Sequence, residues 1–95
     1  MPKGYVIAHP NITNPEKFAE YGSKAADVIE QYDGQILVRG GDVSYREGVS
    51  TDLNVVIEFP SLAKAMEWKN SAEYKAIESG RKDNMTGMFI VIEGV

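Results

Sequence analysis

The order of apolar patterns along this chain constrains its fold more than any single motif does. Apolar residues that repeat at short intervals predict strands at residues 3–9, 35–43, 53–59 and 88–93. Apolar residues at steps of three and four predict one helix after Asn14 and a second helix after Ser61. The order strand, helix, strand, strand, helix, strand predicts a ferredoxin-like α+β fold. In that βαββαβ arrangement, helices cover one face of a four-stranded antiparallel sheet.

Three of the predicted strands are apolar on both faces, although the helices can cover only one of them. In the first strand, Tyr5 and Ile7 alternate with Val6 and Ala8, and the third and fourth strands are similar. Such a sheet needs a second covering layer. The 95 residues form one domain, residues 1–95, and leave no segment for that layer. We therefore expect a homodimer in which two sheets pack face to face.

The composition argues against several classes of function. The net charge is −4 and the basic residues are scattered, so the footprint of a nucleic-acid-binding protein is missing. The chain has no cysteine, which excludes disulfides and thiolate metal sites. It also has neither a signal-peptide pattern nor an apolar run of about 20 residues that would span a membrane. We expect a cytoplasmic protein that binds neither nucleic acid nor membranes and uses no cofactor.

Two charges lie in strands that are otherwise typical of a core, Arg39 and Glu58. Burying a charge is costly unless it is paired or faces a cleft. Pairing Val43 with Asn54 in a regular hairpin places Arg39 opposite Glu58. If their face of the sheet is the one away from the helices, the pair lines the dimer cavity, with Arg39 binding an anionic or carbonyl oxygen and Glu58 holding Arg39 in place. A purely structural salt bridge is the alternative for Glu58.

Further candidates lie near this pair. Gly40 and Gly41 predict a bulge or a close approach of another backbone segment, and these small residues open space beside Arg39. His9 is the single histidine and ends the first strand on the face of Tyr5. It is suited to proton transfer near neutral pH, or it is simply a partly exposed residue at a strand end. One histidine without carboxylate help cannot form a metal site, so we predict no metal.

Large aromatic side chains have two interpretations. Trp68, Tyr74 and Tyr5 either pack in the core or an interface, or line a site for a flat apolar ligand. Arg81, in a polar C-terminal helix, is expected to be solvated.

The motifs resemble a small bacterial family known as domain of unknown function 1330. The matching stretches are Lys3-Gly4-Tyr5, Ala8-His9, Leu37-Val38-Arg39-Gly40-Gly41, Val56-Ile57-Glu58-Phe59-Pro60-Ser61, and Trp68 followed by Ser71, Glu73 and Tyr74. The resemblance implies the dimeric α+β barrel superfamily, the architecture of cofactor-free antibiotic-biosynthesis monooxygenases and muconolactone-isomerase-like proteins. It implies no activity, because the family has no settled one.

Two hypotheses of function follow. The first is a cofactor-free enzyme, an isomerase or a monooxygenase-like protein, that acts on a small organic molecule. His9, Arg39 and Glu58 would be catalytic, and the ligand would contact Tyr5, Arg39, Gly40, Gly41, Trp68 and Tyr74. The second is a non-catalytic dimer that binds a small ligand or is associated with stress.

Overall fold

The chain forms four strands and four helices within residues 2–95, the part described by a computed structural model. They are β1 (Gly4–Ile12), α1 (Pro15–Gln31), β2 (Gln35–Arg39), β3 (Val55–Phe59), α2 (Leu62–Lys69), α3 (Ala72–Lys75), α4 (Glu78–Lys82) and β4 (Met85–Glu93). The strands form one antiparallel sheet in the order β2-β3-β1-β4. The predicted ferredoxin-like α+β fold is confirmed.

Side-chain caps set the starts of the two longer helices. The Asn14 side chain accepts a hydrogen bond from the Lys17 backbone N–H, and Pro15 occupies the first helical position of α1. The Ser61 hydroxyl accepts a hydrogen bond from the Lys64 N–H at the start of α2. Both starts agree with the sequence prediction because caps are local features.

The helices pack on one side of the sheet and form the core there. Val6 and Ala8 of β1 are buried on this side, together with Phe59, Trp68 and Tyr74. Burial therefore alternates along β1, as expected for a strand with one covered face.

No helix within residues 2–95 covers the opposite side of the sheet, which we call the open face. Cross-strand pairing groups its residues, because paired residues point to the same side. The open face contains Tyr5, Ile7, His9, Val38, Val56, Glu58, Met88, Ile90 and Ile92. Val38, Met88, Ile90 and Ile92 are each at least 36% exposed. The predicted apolar character of both faces is thus present in the folded chain.

The predicted register of the central hairpin is wrong. Arg39 pairs with Val55, whereas Glu58 pairs with Gln35, and a bulge lies between Ile36 and Val38. Strand β2 ends at Arg39 instead of continuing to residue 43. The connection is therefore a long loop, residues 40–54, and a long loop does not fix strand register as a two-residue turn does.

Candidate functional site

The predicted catalytic group is divided between the two sides of the sheet. Arg39 pairs with Val55 and faces the helices at the exposed edge of β2, where it borders a small cavity beneath α1. Glu58 and His9 lie on the open face. The predicted pairing of Arg39 with Glu58 is therefore wrong, because the bulge in β2 and the shifted register place the two charges on opposite sides.

Glu58 is engaged by two residues of the first strand region. Its carboxylate accepts a hydrogen bond of 3.0 Å from the Tyr5 hydroxyl and lies 3.6 Å from Lys3 Nζ. The hydrogen bond to this carboxylate raises the pKa of the Tyr5 phenol, because it stabilises the protonated form. His9 lies four residues further along β1, about 13 Å away at about 3.3 Å per residue. Glu58 is therefore hydrogen-bonded to Tyr5 and lies away from His9.

His9 lies in the wall of a cleft of about 690 Å³ at one end of the open face. The loop 40–54 forms the opposite wall. The lining residues are His9, Asn11, Val43, Tyr45, Arg46, Glu47, Val49, Thr51, Asn54, Gly87 and Met88. This volume falls within the range of small-molecule sites, about 300–1,000 Å³.

The base of this loop is tied to the end of β1. The Asp52 carboxylate accepts a hydrogen bond from the Ile12 N–H at 2.9 Å, and the Leu53 N–H donates to the Pro10 carbonyl at 3.2 Å. At its other end the Gly40 N–H donates to the Asn54 carbonyl at 3.0 Å. These bonds hold the loop beside the histidine.

A side-chain hydrogen bond orients the imidazole of His9. Its Nδ1 lies 2.7 Å from Asn54 Oδ1. Because an amide oxygen only accepts hydrogen bonds, Nδ1 carries the proton in this arrangement. Nε2 then carries the lone pair and is the basic position of the ring. Asn54 is not recognisable as a site residue from sequence, since a polar residue at a strand start gives no signal until the strand pairing is known.

Gly40 and Gly41 lie at the start of the loop 40–54 and do not form a bulge within β2. Both have positive φ angles, +77° and +85°, which turn the chain away from β2.

The remaining aromatic candidates, Trp68 and Tyr74, are in the core. Both are fully buried, and their ring centroids lie 4.2 Å apart. Their surroundings favour the packing interpretation.

A second, smaller cavity of about 80 Å³ lies between α1 and the sheet, and we call it the inner cavity. Its wall is almost entirely apolar and includes Val6, Ala8, Phe18 and Phe89. Two arginines also border it, Arg39 and Arg81. Arg81 is only 8% exposed, so the prediction that it is solvated is wrong. Its burial depends on the packing of the short helix α4, which the local sequence pattern does not specify.

Arg81 belongs to a polar cluster beside the inner cavity. Its Nε donates a hydrogen bond of 2.9 Å to the Tyr74 hydroxyl, which lies 2.8 Å from the Tyr21 hydroxyl. Burial is the main reason that the pKa of Tyr21 is raised well above its usual range. Glu78 lies near three cations, Lys69 at 2.6 Å, Lys82 at 3.5 Å and Arg81 at 3.6 Å.

We predict that Glu78 makes folding sensitive to acid. The hydrogen bond from Lys69 is the largest cause that lowers the pKa of Glu78 below its ordinary value of 4.5. Its stabilising effect is therefore fully present above pH 4.5 and is lost as the pH falls through the lower pKa of the folded state. Urea unfolding of the Glu78→Gln variant should give a smaller difference in stability between pH 7 and acid than the unmodified chain. Glu67→Gln, which changes an exposed carboxylate, is the matched control and should keep the full difference.

Residues 2–95 show no sign of a membrane span or a metal site. No helix there is long and apolar enough to cross a membrane. No three histidine, aspartate or glutamate residues in that part of the chain are grouped so that they could hold a metal ion.

The match to a known protein family covers nearly the whole sequence. The family described as domain of unknown function (DUF1330) matches residues 3–95. The chain belongs to this family. No functionally curated protein matches the DUF1330 chain at a significant level.

Solved structures confirm the fold of this DUF1330 protein. A protein of unknown function from Rhodopseudomonas palustris is 20% identical, with a TM-score of 0.72, and the match covers 99% of this chain and 82% of that one. A Caulobacter crescentus protein assigned provisionally to the antibiotic biosynthesis monooxygenases is 16% identical, with a TM-score of 0.66 and coverage of 97% and 87%. An EthD (ethyl tert-butyl ether D) family protein from Bacillus halodurans is 11% identical, with a TM-score of 0.56, and both chains are covered completely. At these identities the likeness concerns the fold alone.

Proposed function

We propose that this DUF1330 protein is a cofactor-free enzyme that moves a proton on a small carbonyl compound, with His9 as the base. The observation that carries the proposal is the 2.7 Å hydrogen bond from His9 Nδ1 to Asn54 Oδ1 in the wall of the cleft. It leaves Nε2 as the basic atom of an imidazole held in one orientation. A base that is oriented by a second residue and borders a cleft of this size is the usual arrangement for general acid–base catalysis.

The proposed step needs only groups of the cleft. Nε2 removes a proton from the carbon next to the carbonyl, and the electrons of the broken C–H bond form an enolate. The imidazolium then returns the proton to the enolate oxygen, which converts the keto form of the substrate into its enol tautomer and restores neutral His9. Arg46, also in the wall, stabilises the enolate oxygen or holds a substrate carboxylate. A cofactor-free oxygenase would begin with the same proton removal, but the isomerase is our proposal because the proton is its only transferred species.

We further propose that a second copy of the chain covers the open face. Four apolar side chains there are at least 36% exposed, Val38, Met88, Ile90 and Ile92. A sheet face with this composition is self-complementary, and its carboxylate, Glu58, is already engaged by Tyr5 and Lys3 of its own chain. The cleft at His9 would then lie at the border of the interface.

We infer a cytoplasmic location from composition alone, because a chain without cysteine gains no disulfide from an oxidising compartment.

Hydrogen–deuterium exchange tests the catalytic proposal without knowledge of the natural substrate. The probes are small enolisable keto acids and diketones in D₂O, and loss of their C–H signals is followed by NMR. The unmodified protein should accelerate exchange of at least one probe, and His9→Ala should reduce that acceleration about 100-fold, within the usual range for a general base. Asn54→Ala should give a smaller loss, because it frees the imidazole without removing it.

Added imidazole provides the chemical control, since it should restore part of the exchange in the His9→Ala variant. Exchange that persists undiminished in His9→Ala would overturn the role of His9. If no probe is exchanged faster than in buffer, the enzyme hypothesis fails and non-catalytic binding of a small ligand becomes the better proposal.

A further inference from the structure

Arg81 is a buried cation in the wall of an apolar cavity, an arrangement that the proposed function does not use. The residue is 8% exposed, and its guanidinium carbon lies 3.8 Å from the centroid of the Phe89 ring. Both side chains border the inner cavity. A charge is costly to bury, so its hydrogen-bonding groups need partners.

The terminal nitrogens of Arg81 make no hydrogen bond to residues 2–95, and they are not sealed from solvent. Within residues 2–95, the one hydrogen bond of its side chain runs from Nε to the Tyr74 hydroxyl. Nη2 lies 3.6 Å from Glu78 Oε2, too far for a hydrogen bond. Apart from this ion pair with Glu78, the fork of the guanidinium is available to a planar group with two oxygens.

The charges around Arg81 favour an anion. Glu78 is the single carboxylate within 4 Å of the cations Lys69, Arg81 and Lys82 in the part of the chain that the structure describes. Three positive charges thus share one negative charge. Arg39 adds another positive charge at the exposed edge of the same cavity.

We propose that the inner cavity binds a small monocarboxylate, with the carboxylate on the Arg81 fork and a short apolar tail among Val6, Ala8 and Phe18. This site lies on the helix side of the sheet and is independent of His9. The cavity volume of about 80 Å³ limits the tail. A cavity of about 150 Å³ holds benzene, so the space here fits a chain of about three or four carbons.

A titration with sodium butyrate tests the site directly. Butyrate should cause saturable shifts in the NMR signals of the Arg81 Nε–H and the Phe89 ring. Butyramide and butylammonium have similar tails without the negative charge, so each should bind at least tenfold more weakly. His9→Ala should leave the butyrate titration unchanged, which separates this proposal from the catalytic one.

Two variants make the test decisive. Arg81→Met should abolish the saturable shifts, but it also alters a buried cluster. Gly22→Leu provides the second variant, because Gly22 borders the inner cavity and a Cβ there meets no atom within 4 Å. Leucine also favours the helix, so this variant should fold and weaken butyrate binding at least tenfold. Equal shifts with butylammonium, or unchanged butyrate binding in folded Gly22→Leu, would overturn the proposal.

Discussion

Replacing Ile90 with aspartate is expected to convert the proposed dimer into a monomer. Ile90 lies on the open face, paired with Ile7, and is 36% exposed in the isolated chain. In a dimer with twofold symmetry the substitution places two carboxylates in an apolar interface, one from each copy. The desolvation of these charges should weaken association at least 100-fold, which corresponds to about 2.7 kcal/mol.

Sedimentation velocity provides the measurement for Ile90→Asp. The unmodified chain should sediment with twice the monomer mass of 10.5 kDa, and the variant should sediment as the monomer. Met66→Asp is the matched control, because Met66 is exposed to a similar degree, 39%, on a helix on the other side of the sheet. It should remain dimeric. A monomeric unmodified chain at micromolar concentration would contradict the proposed covering of the open face.

Replacing Trp68 with alanine is expected to remove a large part of the folding stability. The side chain is fully buried between Phe59, at a centroid distance of 5.4 Å, and Tyr74. Removing an indole from such a site costs about 3–5 kcal/mol, against a total stability of about 5–15 kcal/mol for a domain. Urea unfolding should therefore give a much lower midpoint for Trp68→Ala.

The conservative variant Trp68→Phe separates packing from hydrogen bonding. The indole Nε1 is buried and has no partner within residues 2–95, so its removal sacrifices no hydrogen bond. Trp68→Phe should thus lose less than half of what Trp68→Ala loses. If Trp68→Ala kept its stability and lost ligand binding instead, Trp68 would line a ligand site as one of the two sequence interpretations holds.

The fold could be predicted from sequence because its signals are local. Asn14 and Ser61 cap helices wherever the rest of the chain goes, and alternation places Tyr5, Ile7 and His9 on one face of β1. These features depend on neighbours in the chain. The order of the elements then leaves few topologies.

The candidate site could not be predicted as fully, because it depends on contacts between distant residues. The loop 40–54 leaves the register of β2 and β3 undetermined by the sequence, and an error of a few residues moved Arg39 to the wrong side of the sheet. Asn54 and Arg81 become candidates only when tertiary packing brings them to His9 and Phe89. His9 itself was found because it is the single histidine of the chain.

The alternation along β1 has a consequence for how this protein can diversify. Ala8 and Pro10 border the inner cavity, while His9 and Asn11 border the cleft, so the two cavities lie on opposite sides of one layer of backbone. Neighbouring residues of a single strand therefore line different cavities. A substitution at Ala8 or Pro10 therefore changes the lining of one cavity, and a substitution at His9 or Asn11 changes the lining of the other.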